Sequence, residues 1–496
     1  MKKKDEELNG QESKDLNLLQ GKRVSRREFL KVAGIAGATV GMGAGLGGIV
    51  AACGGTTTTT TAASTATTAA GTATTAASVA TTVTAAVEMG REVKMGVISP
   101  ITGPLADFAV PDKYIVDKWK AAVGDGLVLG DNKKHPITFS LMDTQSDTNR
   151  AATVAGDLIQ NSKIDMMLVS SAPDTVNPVA DTCEAMGTPC LSTDCPMEPY
   201  YFGRGATPDK PFKWTYLAFW GNYELIEDSK ALWAALPTNK KIGSAWSNEV
   251  DGNARRDALT PVIKDLGFTL VDGGPYQPGT EDFTSMISLW KKEGCEILCC
   301  MANPPDFTNL WKQCRQQGFV PKIADVAKAS LFPKAMEALG VPLGYGISGP
   351  QWWHPTFPWK STLTGETCQA LATDFEKTTG MEWSQPLMHY VTFEWAADVL
   401  KRTTNVDDKE EIIKNVASTK MVESVAGPLD FTAPVAPNSL HIVPNVVGTP
   451  LYEGEWIKGT TQWPWSVKVW EYDMKIVTNT MAPQVTVQGP LEPIVA

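Results

Sequence analysis

The sequence predicts an α/β fold of two doubly wound, parallel-sheet lobes, on three observations. From Glu92 onward short apolar stretches alternate with amphipathic ones, the order expected of repeated βα units. These units run over roughly 400 residues, more than one doubly wound domain comfortably holds. The 43% hydrophobic content of the 496-residue chain is that of a globular protein with a sizeable core.

The elements follow in order. "EVKMGVIS" reads as a strand, "DKYIVDKWKAAV" as a helix, "PITFSLMDT" as a strand and "TNRAATVAGDLIQ" as a helix with Ala152, Ala155, Leu158 and Ile159 on one face. "KIDMMLVSS" is a strand, residues 175–186 a helix and "PCLST" a strand. "KIGSAWS", "RDALTPVIKDLG", "FTLVDGG", "FTSMISLWKKEG", "CEILCCM" and "FTNLWKQCRQQG" continue the alternation. The first run of units ends near "PFKWTYLAFWGN", residues 211–222, which sets the break between lobes there. Ligands of such folds lie beyond the carboxyl ends of the strands, and a cleft between lobes is a ready site.

Charge narrows the partners. Residues 1–52 carry nine basic and six acidic side chains, leaving 35 against 49 in the remainder, so the body is more acidic than the overall −11 indicates. Neutralising phosphates needs clustered cations, so no nucleic-acid partner is expected.

The first 90 residues stand outside the βα pattern. Gly43, Gly45 and Gly48 match G-x-G-x-x-G, but no strand precedes them and no acidic residue follows about twenty positions on, so a dinucleotide loop is set aside. Residues 32–52 are uncharged over 21 positions, long enough to span a bilayer, yet seven are glycine, which makes a poor and weakly apolar helix. The preceding Ser25-Arg26-Arg27-Glu28-Phe29-Leu30-Lys31 resembles the twin-arginine export signal S/T-R-R-x-F-L-K at every position. Val50-Ala51-Ala52-Cys53-Gly54 is similar to a bacterial lipobox, which implies a Cys53 that is lipidated and becomes the mature N-terminus; ordinary cleavage after a small residue is the alternative. Residues 54–90 are nearly all Thr, Ala, Gly and Ser and cannot bury a core, so they read as a flexible tether of roughly 30–35 Å root-mean-square span.

In the body, "KMGVISPITGPLADFA" resembles the opening K-I-G-V-x-x-P-x-T-G-P-x-A-x-x-G of the periplasmic branched-chain amino-acid binding proteins, the solute receptors of ABC importers. "FSLMDTQSDTNRAATVAGDLIQNSKIDMMLVSS" is similar to that family's second and third strands with the helix between them, and "YQPGTEDFTSMI" to its P-x-G-x-x-D-F-x-x-x-L. The similarity is collinear from Glu92 to Asp430. It implies the type I periplasmic binding protein fold: two lobes joined by three crossovers, residues 91–213 with 347–435 as the first, and 214–346 with 436–496 as the second. It also implies a monomer that closes around a small solute without chemistry and then meets permease subunits.

The resemblance further implies which residues meet the solute. A carboxylate would be held in the first lobe by Ser171, Asp174 and Thr175, after the third strand, and by Ser192 and Thr193, after the fourth. Hydroxyls and a helix N-terminus supply donors to an anion there. Asp174 and Thr175 have helix capping as the alternative. Asp174 stands where the family often has glycine, and its charge opposes a carboxylate unless it faces away. In the second lobe Asp306 falls where an acidic residue usually pairs with the substrate ammonium, and Asp251 where a tyrosine is common; a helix N-cap is the alternative for both. Phe108 falls on the pocket wall, and Trp220, Trp352 and Trp353 fall near crossovers, where aromatic walls suit apolar, aromatic or amide-bearing solutes and where core packing is the alternative role.

Cys183, Cys190, Cys195, Cys295, Cys299, Cys300, Cys314 and Cys368 form no C-x-x-C pair, and the four histidines show no zinc spacing, so neither a metal nor another cofactor is expected. Export permits disulfides, whereas folding before export permits buried thiols. An exported enzyme is the rival class, against which stand the missing C-x-x-C-H and G-x-S-x-G motifs. A tethered sensor in place of an importer remains open.

Overall fold

The computed structural model describes residues 87–436 and 441–495, so the export motif with Arg26 and Arg27, Cys53 and residues 54–86 lie outside the described residues. The fold starts slightly before the expected end of the tether. Lys134 N donates to Glu88 O, and Gly90 N to Lys134 O, fastening residues 88–90 to the strand pair at Lys134–His135.

Strands follow one another as the βα pattern requires. β1 (Val93–Ser99), β2 (Ile137–Asp143), β3 (Met166–Ser170), β4 (Cys190–Thr193) and β5 (Thr215–Ala218) come first. Next are β6 (Lys241–Ser247), β7 (Thr269–Tyr276), β8 (Ile297–Ala302), β9 (Ile323–Lys328) and β10 (Ile347–Gln351). β11 (His441–Val443), β12 (Val446–Val447), β13 (Leu451–Lys458) and β14 (Tyr472–Met481) complete the strands of the two large sheets, and Leu127–Val128 with Lys134–His135 and Lys420–Met421 with Leu429–Asp430 form two short separate pairs. Two seven-stranded sheets result, ordered β11-β12-β5-β4-β3-β1-β2 and β14-β13-β10-β9-β8-β6-β7. Each is parallel through its centre, and each ends at one edge in antiparallel pairs that use the C-terminal strands. The chain crosses between sheets after β5, after β10 and after β12, giving two lobes and three crossings.

The boundaries differ from those expected. β5, expected to open the second lobe, hydrogen-bonds along β4 from Cys190–Thr215 to Thr193–Ala218. β10, expected in the first lobe, pairs with β9 and β13 in the second, while β11 and β12 return to the first. Pairing partners distant in sequence decide these memberships, and local pattern carries no trace of them.

Helices read from periodicity form where expected, including α1 (Asp112–Val123) and α2 (Thr148–Asp157). The buried side of α2 centres on Ala151, Val154 and Ala155, with Ala152 at its margin. α3 (Pro173–Ala185) begins two residues earlier than its pattern suggests, because Pro173 serves as its first helical residue. In the first lobe, Trp119 of α1 meets Phe139 edge-on at 4.9 Å, and Phe393 lies 6.0 Å from it. In the second, Trp233, Trp246, Ile263, Ile297 and Met301 share one cluster that Leu491 of the C-terminal segment joins.

The second lobe also buries acid. Glu453 on β13 is fully buried and neither carboxylate oxygen has a hydrogen-bond partner. Burial, with Asp325 and Asp228 adding to it and Arg255 opposing, pushes its pKa far above the usual carboxylate range. A raised folded pKa contributes stability below about pH 4.3, the unfolded value, that is lost as pH rises towards the folded one. Glu453→Gln removes that titration, so its advantage over the wild type is expected to grow between pH 5 and 8 to about 1–2 kcal/mol in urea unfolding. A difference independent of pH would contradict the assignment.

Candidate functional site

The carboxyl ends of the parallel strands gather the expected residues. In the first lobe Ser171 follows β3 with φ 135°, fully buried, and its hydroxyl has no hydrogen-bond partner. The other expected hydroxyls are engaged internally. Thr193 Oγ1 donates to Ala218 O at 2.8 Å, Ser192 Oγ lies 3.2 Å from Tyr200 OH, and Thr175 Oγ1 donates to Ala172 O at 3.3 Å. Neither Asp174 nor Thr175 caps α3: the cap position is Ala172, without a side-chain bond.

Beneath this wall lies a buried ion set that sequence reading did not find. His389 Nδ1 is 2.7 Å from Asp112 Oδ1 and its Nε2 is 2.8 Å from Asp194 Oδ2, with Ser170 Oγ 3.0 Å from Nδ1. Burial opposes the imidazolium, but Asp112 and Asp194 outweigh it and lift the pKa to about 9. His389 thus ties the loop after β4, where Asp194 has φ 56°, to α1 and to the end of β3.

In the second lobe β6 leads into α4 (Val250–Asp265), whose cap is Glu249: its carboxylate accepts from Asp251 N at 2.8 Å and Gly252 N at 2.9 Å. Asp251, expected as cap or ligand contact, is therefore free of the capping role. Asp306 lies in the first turn of α5 (Pro304–Gln316), after the cap residue Asn303, and accepts from Gly279 N at 3.0 Å. It braces the loop after β7 and does not cap its helix.

Lys328, the last residue of β9, is the centre of the site. It is 4% exposed, has φ 67° and ψ −61°, and its Nζ stands 3.2 Å from Asp251, 3.7 Å from Glu249 and 3.8 Å from Asp174 of the opposite lobe. Burial, opposed by Lys328 and reinforced by the neighbouring carboxylates, pushes Asp174 up to about 6 and Asp251 up to about 7. Burial opposes Glu249 too, but Lys328, Ser247 and the α4 amides hold it below the usual range. A lysine at the end of a strand-like run, "IADVAK", apolar apart from Asp325, is the signal that could have found it.

Aromatic side chains frame the crossings. Phe108 meets Phe332, beyond β9, edge-on at 4.8 Å, which brings the two lobes into contact. Trp220 and Trp352 follow β5 and β10, 5.8 Å apart, with Phe219 5.1 Å from Trp352; both indole N–H groups are buried without a hydrogen bond. Trp353 instead donates to Val425 O at 3.0 Å within the core.

Among the described residues no helix is long and apolar enough to cross a membrane and no cluster of His, Cys, Asp and Glu could hold a metal. The eight cysteines among the described residues are unpaired and buried.

A family model described as "Periplasmic binding protein" matches residues 92–439. The leucine binding protein LivK of Thermotoga maritima MSB8 superposes with a TM-score of 0.61 at 16% identity, covering 78% of this chain and 99% of that one. LivJ of Streptococcus pneumoniae, in complex with isoleucine, gives 0.59 at 16%, covering 78% and 99%. A solute binding protein of an ABC transporter from Rhodopseudomonas palustris BisB5, in complex with 3,4-dihydroxy benzoic acid, gives 0.60 at 15%, covering 79% and 99%. At these identities the likeness establishes the fold.

Proposed function

The chain belongs to the periplasmic binding protein family, and we propose that it is the lipid-anchored solute receptor of an ABC importer, holding a small amino-acid-like, aromatic or amide-bearing carboxylate between its lobes. The observation that carries this reading is the meeting of Asp174, from one lobe, with Glu249, Asp251 and Lys328, from the other, at the carboxyl ends of two sheets. Buried polar groups left without partners, the Ser171 hydroxyl and the Trp220 indole among them, are what a cleft built to receive a solute retains.

The solute docks on the first lobe through Ser171, and rotation about the three crossings brings Lys328, Asp251 and Phe332 over it. Phe108 and Trp220 wall the cleft. Ser192, Thr193 and Thr175 support the wall, and Asp306 holds the loop at Gly279. The closed form is what the permease recognises, and the solute leaves unchanged.

Isothermal titration against branched, aromatic and amide-bearing carboxylates should find one class bound near micromolar, about −8 kcal/mol, with small-angle scattering showing contraction on binding. Conversion of the titrant into a product would overturn the reading. Cys53→Ser should move the chain from the membrane to the soluble fraction; retention in the membrane would remove the anchor from the account.

A further inference from the structure

Lys328 combines three features that ordinary surface or core lysines lack. Its ammonium is buried, it meets three carboxylates as ion pairs at 3.2 to 3.8 Å, and its backbone, at φ 67° and ψ −61°, has a positive φ that costs a non-glycine residue strain. Ser171, on the facing lobe, shares the burial and the positive φ, at 135°, and its hydroxyl has no partner. Strain of this kind persists where the surroundings over-determine a position, and it clusters at ligand sites.

Three carboxylates surround the one ammonium, Asp174 from the first lobe and Glu249 and Asp251 from the second. These are the groups that a charged amine on a solute would need. They are already held by a tethered cation that cannot diffuse away, and a second ammonium among them would meet the first at close range as a like charge. The Ser171 hydroxyl is a donor without an acceptor, and Lys328, with three hydrogens and its nearest carboxylate at 3.2 Å, has a further hydrogen to give.

We infer that Lys328 is the chain's own ammonium in the cleft, so that the solute is a carboxylic acid lacking an α-ammonium group, its carboxylate accepting from Lys328 and Ser171. This rests on the receptor reading above and narrows its ligand. The added negative charge is accommodated by a proton, since burial has already raised Asp174 and Asp251 towards neutrality. Binding should therefore take up protons from the buffer.

The test compares pairs that differ only in the ammonium: 4-methylpentanoate with leucine, and 3-phenylpropanoate with phenylalanine, titrated into the full chain in two buffers of different ionisation enthalpy. At least one acid should bind tenfold or more tightly than its amino acid, with proton uptake, and Lys328→Met should weaken that acid tenfold or more. The comparison within the wild type stands even if the variant misfolds. An amino acid bound as tightly as its acid overturns the inference and leaves the receptor reading intact. If neither pair binds, the inference falls; the receptor reading falls with it only if titrations with amides, amines and sugars are also silent.

Discussion

Replacing Arg255 with methionine is expected to lower the stability of the second lobe by about 3–5 kcal/mol. The guanidinium and the Asp325 carboxylate are both fully buried and meet at 2.6 Å, Arg255 Nη2 to Asp325 Oδ1, while Trp233 Nε1 donates to the other oxygen at 2.9 Å. Burial works against the arginine's charge, but Asp325, Cys299 and Glu453 outweigh it and raise its pKa further. The pair joins α4 to β9, the strand that ends in Lys328. Removing the cation alone leaves Asp325 as an unpaired charge in an apolar interior, which is why the single change costs so much. Arg255→Met combined with Asp325→Asn removes both charges and should recover most of the loss, a coupling that a double-mutant cycle in urea measures. A single variant within about 1 kcal/mol of the wild type, the range of exposed ion pairs, would show that the pair is not isolated from water.

The physics of this lobe also explains what the sequence could reveal. Periodicity located most strands and helices from Glu92 to Gly318, because apolar side chains at intervals of two or of three to four must face one core; the elements after Gly318, β9 and β10 among them, were not read from it. Residues 215–218 were harder: four residues of strand followed by Phe219 and Trp220 look the same on either side of a crossing, and only pairing with β4 assigns them. Capping, the alternative role for Asp174 and Asp306, fails for a local reason. Pro173 and Pro304 each occupy the first turn, so Asp174 and Asp306 fall inside their helices and not before them. His389, the centre of the first ion set, was out of reach because its partners are scattered, 277 and 195 positions away. Of the candidate ligand residues, Asp174 and Asp251 meet at Lys328 and Ser171 keeps a buried hydroxyl without a partner, whereas the hydroxyls of Ser192 and Thr193 turn to internal partners, a choice of side-chain direction that spacing alone does not fix.

Raising the pH from 6.5 to 9 should loosen the first lobe through His389. Its folded pKa, about 9, lies above the unfolded value of about 6.5, so the stabilisation from its charge is complete below pH 6.5 and is lost as the pH climbs through 9. At about 1.4 kcal/mol per unit of pKa difference, the window holds roughly 2–3 kcal/mol. The groups facing it are Asp112, Asp194 and the Ser170 hydroxyl; once the proton departs the neutral ring keeps a single N–H, so one of the two carboxylates loses its donor from the ring, while Asp112 still accepts from the Ser99 hydroxyl. His354 supplies an internal contrast: equally buried but with no carboxylate, it is pushed down to about 3 and stays neutral throughout. Carbon-13 chemical shifts of the four imidazoles should show one titrating near pH 9, and Asp112→Asn should bring it down. Because His389 fixes Asp194 and Ser170 behind Ser171, solute affinity should fall in the same pH window, before the lobe unfolds. A His389 that titrates at or below 6.5 would detach the imidazole from both carboxylates and, with them, the wall of the cleft from its support.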